Sequence, residues 1–148
     1  MPLQPGDAAP EIPGAPPVDG PRVAFFYKVT CPTCQLAAPA AERFHGAVSG
    51  RFVGVGQDPR ERLESFAEEY GLTFQAISDA PPYDTSNAYG IRTVPTLFLV
   101  DDGRIVETVE SWDRDAWNAL AARMGELVGV PTEPVSTDRD GLPPFRPG

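Results

Sequence analysis

Between residues 22 and 128 the apolar positions alternate between short continuous runs and helical stripes. Val23-Ala24-Phe25-Phe26-Tyr27 and Thr96-Leu97-Phe98-Leu99-Val100 are runs of the kind buried on both faces of a sheet, and Phe52-Val53-Gly54-Val55 and Phe74 to Ile77 read as two shorter strands. After the first run, Ala37, Ala40, Ala41, Phe44 and Val48 recur at helical spacing, with Pro32 in the first turn and Pro39 inside the pattern, where a kink is expected. Asp58-Pro59 reads as the N-cap and first residue of a second helix, with Leu63, Phe66, Ala67 and Tyr70 as its buried stripe and Gly71 as its stop. A short helix is expected from Asp84 to Tyr89, ended by Gly90. Asp102-Gly103 predicts a hairpin turn into Ile105, Val106 and Val109. Asp113 is placed to cap a last helix carrying Trp117, Leu120, Ala121, Met124 and Val128 on one face. The order βαβαβ followed by ββα implies an α/β fold, a mixed central sheet with helices on both faces that ends in a β-hairpin and a C-terminal helix.

The 18 prolines and 14 glycines in 148 residues concentrate outside that alternation. Residues 1–21 read as a proline-rich N-terminal arm, extended and able to lie along the domain edge, and residues 22–128 as one domain. Residues 129–148 carry prolines, small polar residues and scattered charges, and are expected to form a flexible tail. A net charge of −9 argues against nucleic-acid binding, and no apolar run is long enough to span a membrane. The N-terminus lacks a basic start and an apolar stretch, so a cytoplasmic location is expected.

Chemistry enters with the two cysteines, which lie together as Cys31-Pro32-Thr33-Cys34. A disulfide there closes almost no loop and adds little stability, so its use is chemical rather than structural. The pair falls where a buried strand gives way to a helix. Unpaired amides and the positive end of the helix macrodipole at that point favour an anion, and Cys31 is therefore the expected nucleophile. Its thiolate would attack a partner disulfide, and Cys34, about one turn further along, would resolve the mixed disulfide.

Cys31-Pro32-Thr33-Cys34, Pro39 five residues beyond the second cysteine and Thr93-Val94-Pro95-Thr96 before a strand resemble the thioredoxin superfamily over roughly residues 22–128. Val53 to Asp58, Phe66 to Leu72, Ala88 to Ile91 and the opening Gly6-Asp7-Ala8-Ala9-Pro10 are similar to the redoxin branch, which holds TlpA- and ResA-type proteins and peroxiredoxins. The resemblance implies a thiol-disulfide oxidoreductase with catalytic Cys31 and Cys34. It further implies a cis-proline at Pro95, and a groove in which Val94, Pro95, Thr93, Pro32 and Thr33 meet an extended substrate. This chain departs from the pattern at Thr30, where a tryptophan is usual. It also has Phe25 where thioredoxins bury an acid, and Ala37 where ResA-like proteins carry a glutamate. The proton acceptor for Cys34 is therefore unassigned, and Lys28 reads as a solvated lysine rather than a partner of the thiolate.

The expected partners are disulfide- or thiol-bearing proteins or small thiols, met by a monomer that needs no cofactor and no metal. A peroxiredoxin-like peroxidase is the nearest alternative. However, the Pro-x-x-x-Thr-x-x-Cys pattern fails, with Ala24 at the proline position for Cys31 and no proline at the corresponding position for Cys34. A redox-sensing adaptor or a soft metal site on the two thiolates are the non-enzymatic alternatives. His45, the single histidine, is eleven residues past Cys34 and too far along a straight helix to share such a site, so it reads as a surface or partly packed side chain. Trp117 reads as core, Trp112 as packed at the hairpin exit, and the acidic cluster from Glu61 to Glu69 as a solvated helix face.

Overall fold

A computed structural model describes residues 1–148. The chain runs through β1 (Arg22–Tyr27), α1 (Pro32–Val48), β2 (Phe52–Gly56), α2 (Arg60–Tyr70), β3 (Gln75–Ser78), α3 (Asp84–Ala88), β4 (Thr96–Asp101) and β5 (Arg104–Glu110). It closes with β6 (Trp112–Asp113), α4 (Arg114–Val128) and β7 (Phe145–Arg146). The main sheet has the order β3-β2-β1-β4-β5. β1, β2 and β3 are parallel, and β4 and β5 join antiparallel. β1 takes the centre because both its faces are apolar. Val23, Phe25 and Tyr27 enter a larger core shared with Ala37, Ala41 and Phe44 of α1, Leu63 and Phe66 of α2, and Trp117, Leu120 and Met124 of α4. Ala24 and Phe26 turn the other way, into a smaller core with Val53, Val55, Phe98, Tyr89 after α3 and Ile12 of the N-terminal arm.

Phe25, in the position where a buried acid would stand, is the hub of the larger core. Tyr27 stacks on it at 4.9 Å between centroids and Trp117 meets it edge-on at 5.8 Å. Alanines 37, 38, 40 and 41 are fully buried and keep the middle of the buried face of α1 small, with Phe44 and Val48 supplying its bulk further along. It remains one helix across Pro39. Asp102 and Gly103 both adopt positive φ, 52° and 71°, the pairing that a tight hairpin requires. Asp113 caps α4 by accepting from the Ala116 amide at 3.1 Å.

Asp58 does not cap α2. Pro59 occupies the cap position with no side-chain bond, and the Asp58 carboxylate turns back instead to accept from the Val29 amide at 2.9 Å. A proline at the N-cap leaves the preceding carboxylate pointing away from the helix and toward the end of β1.

Both terminal segments are bound to the domain. The arm covers the β5 edge through Gly6 N to Ile105 O at 2.8 Å, Ile105 N to Asp7 O at 2.9 Å and Ala9 N to Gly103 O at 2.9 Å, which satisfies groups that an edge strand leaves open. The segment 129–148, expected to be flexible, is instead held against α1 and α4. Asn118 accepts from the Val135 and Ser136 amides at 2.8 and 3.1 Å and donates to Ser136 O at 2.8 Å, while Val135 is buried in the larger core. Asp140 pairs with Arg43 at 3.1 Å and Arg114 at 3.6 Å, and the Trp112 indole donates to Pro143 O at 2.7 Å. Composition misleads here because the tail offers few anchors of its own, chiefly Val135 and Asp140; most of the polar groups that bind its backbone, from Arg43, Arg114 and Asn118, belong to the helices.

Candidate active site

The site forms where β1 ends and α1 begins. Cys31 takes an extended conformation at the N-cap, φ −82° and ψ 118°, and its Sγ accepts from the Cys34 amide at 3.3 Å. The Cys31 carbonyl accepts the first helical bond, from the Gln35 amide at 3.0 Å, and the Gln35 side chain donates to Val29 O at 2.9 Å, tying the loop to the helix. Cys31 is partly exposed, Cys34 lies fully buried behind it, and both are free thiols. This is the division of labour a nucleophile and a resolving thiol require: one sulfur open to a partner, one reachable only through the first.

Strand register builds the opposite wall. Phe26 of β1 pairs with Thr96 of β4, which carries residues 93–95 alongside the loop that leads to Cys31. The Val94–Pro95 peptide bond is cis, and the Cys31 thiol donates to Val94 O at 3.5 Å. The Thr96 hydroxyl donates to Thr93 O at 2.8 Å and holds the turn. Cys31, Cys34, Thr93, Val94, Pro95 and Thr33 thus share one locale. Pro32 is exposed at the helix start and Thr33 is buried.

Electrostatics separates the two thiols. Chiefly through a hydrogen bond from the Cys34 thiol, helped by the Cys34 and Thr33 amides and the charge of Arg146 and opposed by partial burial, the Cys31 thiol is lowered to about 6. Burial, then the bond to Cys31, then the charges of Cys31 and Asp58, push the Cys34 thiol far upward. Burial and the nearby Asp58 charge also push the Tyr27 hydroxyl up. The Lys28 ammonium lies 5.6 Å from the centre of the Tyr83 ring, and at the cysteines Lys28 contributes its backbone, the carbonyl accepting from the Cys31 amide at 3.1 Å. His45 packs edge-on against Phe52 and Phe74, away from the cysteines.

Three contributors were not singled out from the sequence. Asp58, read as a cap, is a buried carboxylate that braces the loop before Cys31 and whose charge reaches Cys34. Ser111 donates its amide to Pro95 O at 2.8 Å. The segment from Phe145 to Gly148 reaches the groove, where the Thr33 hydroxyl donates to Pro147 O at 2.7 Å. An aspartate two residues past the end of a strand was a visible signal for the first. Nothing in the composition of 145–148 marked the last.

The chain is 32% identical over 89 residues to the thiol-disulfide oxidoreductase ResA of Geobacillus thermodenitrificans, a match covering 57% of this chain and 50% of that protein. The chain thus spans about half the length of the curated relatives it matches. Among solved structures, DsbF of Mycobacterium tuberculosis, seen in mixed oxidised and reduced forms, superposes with a TM-score of 0.63 at 25% identity, covering 72% of this chain and 80% of that one. The thioredoxin domain of a thiol-disulfide oxidoreductase from Bacteroides vulgatus superposes with a TM-score of 0.67 at 22% identity, covering 82% and 99%, and shows the fold. The AhpC/TSA family model matches residues 18–109, the span that holds the cysteine pair and the Val94–Pro95 turn, and the chain belongs to that family.

Proposed function

We propose that this protein is a thiol-disulfide oxidoreductase in which Cys31 is the attacking thiol and Cys34 the resolving thiol. The observation that carries the reading is the asymmetry of the pair: a partly exposed Cys31 lowered to about 6, with a buried, strongly raised Cys34 one helical turn behind it. The similarity to ResA supports the same chemistry.

In the reductive direction the Cys31 thiolate attacks one sulfur of a partner disulfide. The partner's S–S bond breaks, a Cys31–partner S–S bond forms, and the leaving sulfur departs as a thiolate that takes up a proton. Cys34 then loses its proton and attacks Cys31 Sγ. The intramolecular disulfide forms, and the partner's second sulfur leaves as a thiol. Two electrons pass from the dithiol to the partner, and the reverse sequence oxidises a dithiol. The raised Cys34 thiol stays protonated until the mixed disulfide removes the Cys31 charge beside it, which orders the two steps. The groove walled by Thr93, Val94, Pro95, Pro32 and Thr33 is the place for the partner's disulfide-bearing segment, in a protein or a small molecule.

Equilibration in thiol/disulfide buffers, read by alkylation and mass, tests this. A cooperative two-electron transition within roughly −120 to −300 mV is expected. Cys34→Ser should accumulate mixed disulfides, and Cys31→Ser should abolish exchange. Exchange that survives loss of Cys31, or a pair that never closes a Cys31–Cys34 disulfide, overturns the assignment.

A further inference from the structure

The groove is already occupied. Phe145 and Arg146 pair antiparallel with Asp113 and Trp112, and the Arg114 amide donates to Pro144 O at 2.9 Å, so residues 144–146 are laid down as a strand directed at the cysteines. Pro147 O then accepts from the Thr33 hydroxyl at 2.7 Å. The Gly148 amide donates to the Ser111 hydroxyl at 3.2 Å. Gly148 lies so close to Val94 O and Thr93 Oγ1 that a Cβ at this position would overlap both. Val94 O is also the carbonyl that receives the Cys31 thiol. Three of the residues assigned to substrate binding, Thr33, Val94 and Thr93, therefore already touch a segment of the chain itself.

The receptor for this segment is built, not incidental. Ser111 sits at φ 72°, a conformation few residues other than glycine adopt. It is held there by its amide bond to Pro95 O at 2.8 Å and by the Trp117 indole donating to its carbonyl at 3.1 Å. That geometry aims its hydroxyl at the Gly148 amide. Arg146, delivered by the same segment, adds its positive charge near Cys31.

We propose that residues 145–148 form a specificity-determining strap. It fills the part of the groove where an extended polypeptide would pair with Val94, so compact small-molecule disulfides reach Cys31 directly, whereas a protein segment must first displace it. The inference rests on the oxidoreductase reading above and names the substrate class which that site favours.

Prereduced protein is mixed in single-turnover experiments with a neutral small disulfide, bis(2-hydroxyethyl) disulfide, and with a protein disulfide, insulin, and Cys31 and Cys34 oxidation is followed by alkylation quench. Two variants are compared with the full chain: deletion of 145–148, and Gly148→Ala, which keeps Arg146 but introduces the overlap with Val94 O and Thr93. In both, the ratio of the insulin rate to the small-disulfide rate should rise by about fivefold or more, since the partner no longer competes with the strap's two hydrogen bonds. The ratio, rather than either rate, discounts any change in Cys31 acidity when Arg146 is removed. Should the deletion fail to fold, Gly148→Ala decides the matter alone, because it alters only an exposed residue. An unchanged or reduced ratio, with both disulfides still turned over, overturns the strap and leaves the oxidoreductase reading standing. Failure of the full chain to react with either disulfide overturns that reading instead.

Discussion

Replacing Cys34 by alanine should raise the pH at which Cys31 becomes reactive. In the native chain the bond from the Cys34 thiol is the leading cause that lowers Cys31 to about 6, and the amides of Cys34 and Thr33 contribute less. At pH 7 a thiol of that acidity is about nine-tenths thiolate, whereas at its ordinary value near 9 it is about one-hundredth thiolate, a difference of roughly ninetyfold. The gain in attack rate is much smaller. Thiolate nucleophilicity falls with pKa at a Brønsted slope of about 0.4–0.5, so a drop of about three units costs roughly 15- to 30-fold and leaves a net advantage of only about three- to sixfold. The larger benefit is to Cys31 as a leaving group, when Cys34 displaces the partner or when the Cys31–Cys34 disulfide is reopened.

The assay is the rate of Cys31 alkylation by iodoacetamide against pH. Since only the thiolate reacts, the native rate should rise with pH through a midpoint near 6 and level off above it. In Cys34→Ala the midpoint should move upward, stopping short of 9 because the Cys34 and Thr33 amides still face the sulfur. The plateau rate should increase with it, following the Brønsted slope. A native midpoint near 9 would refute thiolate stabilisation at this helix start. A midpoint near 6 that does not move in Cys34→Ala would transfer the effect from the neighbouring thiol to the backbone.

Further outcomes bear on the frame around the site. Trp117→Ala should cost about 3–5 kcal/mol in denaturant unfolding, because the indole is fully buried against Phe25 and Trp112 and also donates to Ser111 O. Gly54→Ala should be destabilising by about 1–3 kcal/mol, since the added methyl would meet the ring of Phe74 and crowd Tyr27 in a close-packed sheet face; a midpoint equal to wild type would show that the rings move freely. Asp58→Ala strips the Val29 amide of its buried acceptor and should cost about 1–3 kcal/mol, measured in the same way. Asn118→Ala removes three hydrogen bonds to Val135 and Ser136 and should make residues 129–148 susceptible to limited proteolysis while residues 22–128 stay protected.

The strands and helices between residues 22 and 128 were legible because their signals are local. The apolar run Val23 to Tyr27 of β1, the Asp102-Gly103 turn with both residues at positive φ, and an aspartate capping α4 each declare themselves within a few residues. Asp58 was misread for the converse reason. Asp-Pro before an apolar stripe satisfies the local rule for a helix start, but the carboxylate meets a competing acceptor-poor amide, Val29, 29 residues earlier in the chain, and turns to that instead. The tail was misread because sequence composition measures what a segment can bury by itself. Here Arg43, Arg114 and Asn118 look like ordinary polar positions on helices, and their use becomes apparent only once α1 and α4 lie side by side.

The same distinction divides the site. Acidity at Cys31 is produced mainly within residues 31–34, first by the bond from the Cys34 thiol and then by the amides at the helix start, so the cysteine spacing signalled it, although the amides and the dipole were credited ahead of the second thiol. Access to Cys31 is governed from far away: the bond between Thr33 and Pro147 joins residues 114 positions apart, and nothing short of the folded chain reveals it. The acid shift and the steric effect can therefore vary independently except at Arg146, whose charge also lowers Cys31. Changes at Cys34 should retune reactivity toward every disulfide alike, whereas changes at Pro147 and Gly148 should reorder which disulfides are preferred. If substitutions at Cys34 and at Gly148 changed the same quantity, the groove and the thiolate would have to be one device rather than two.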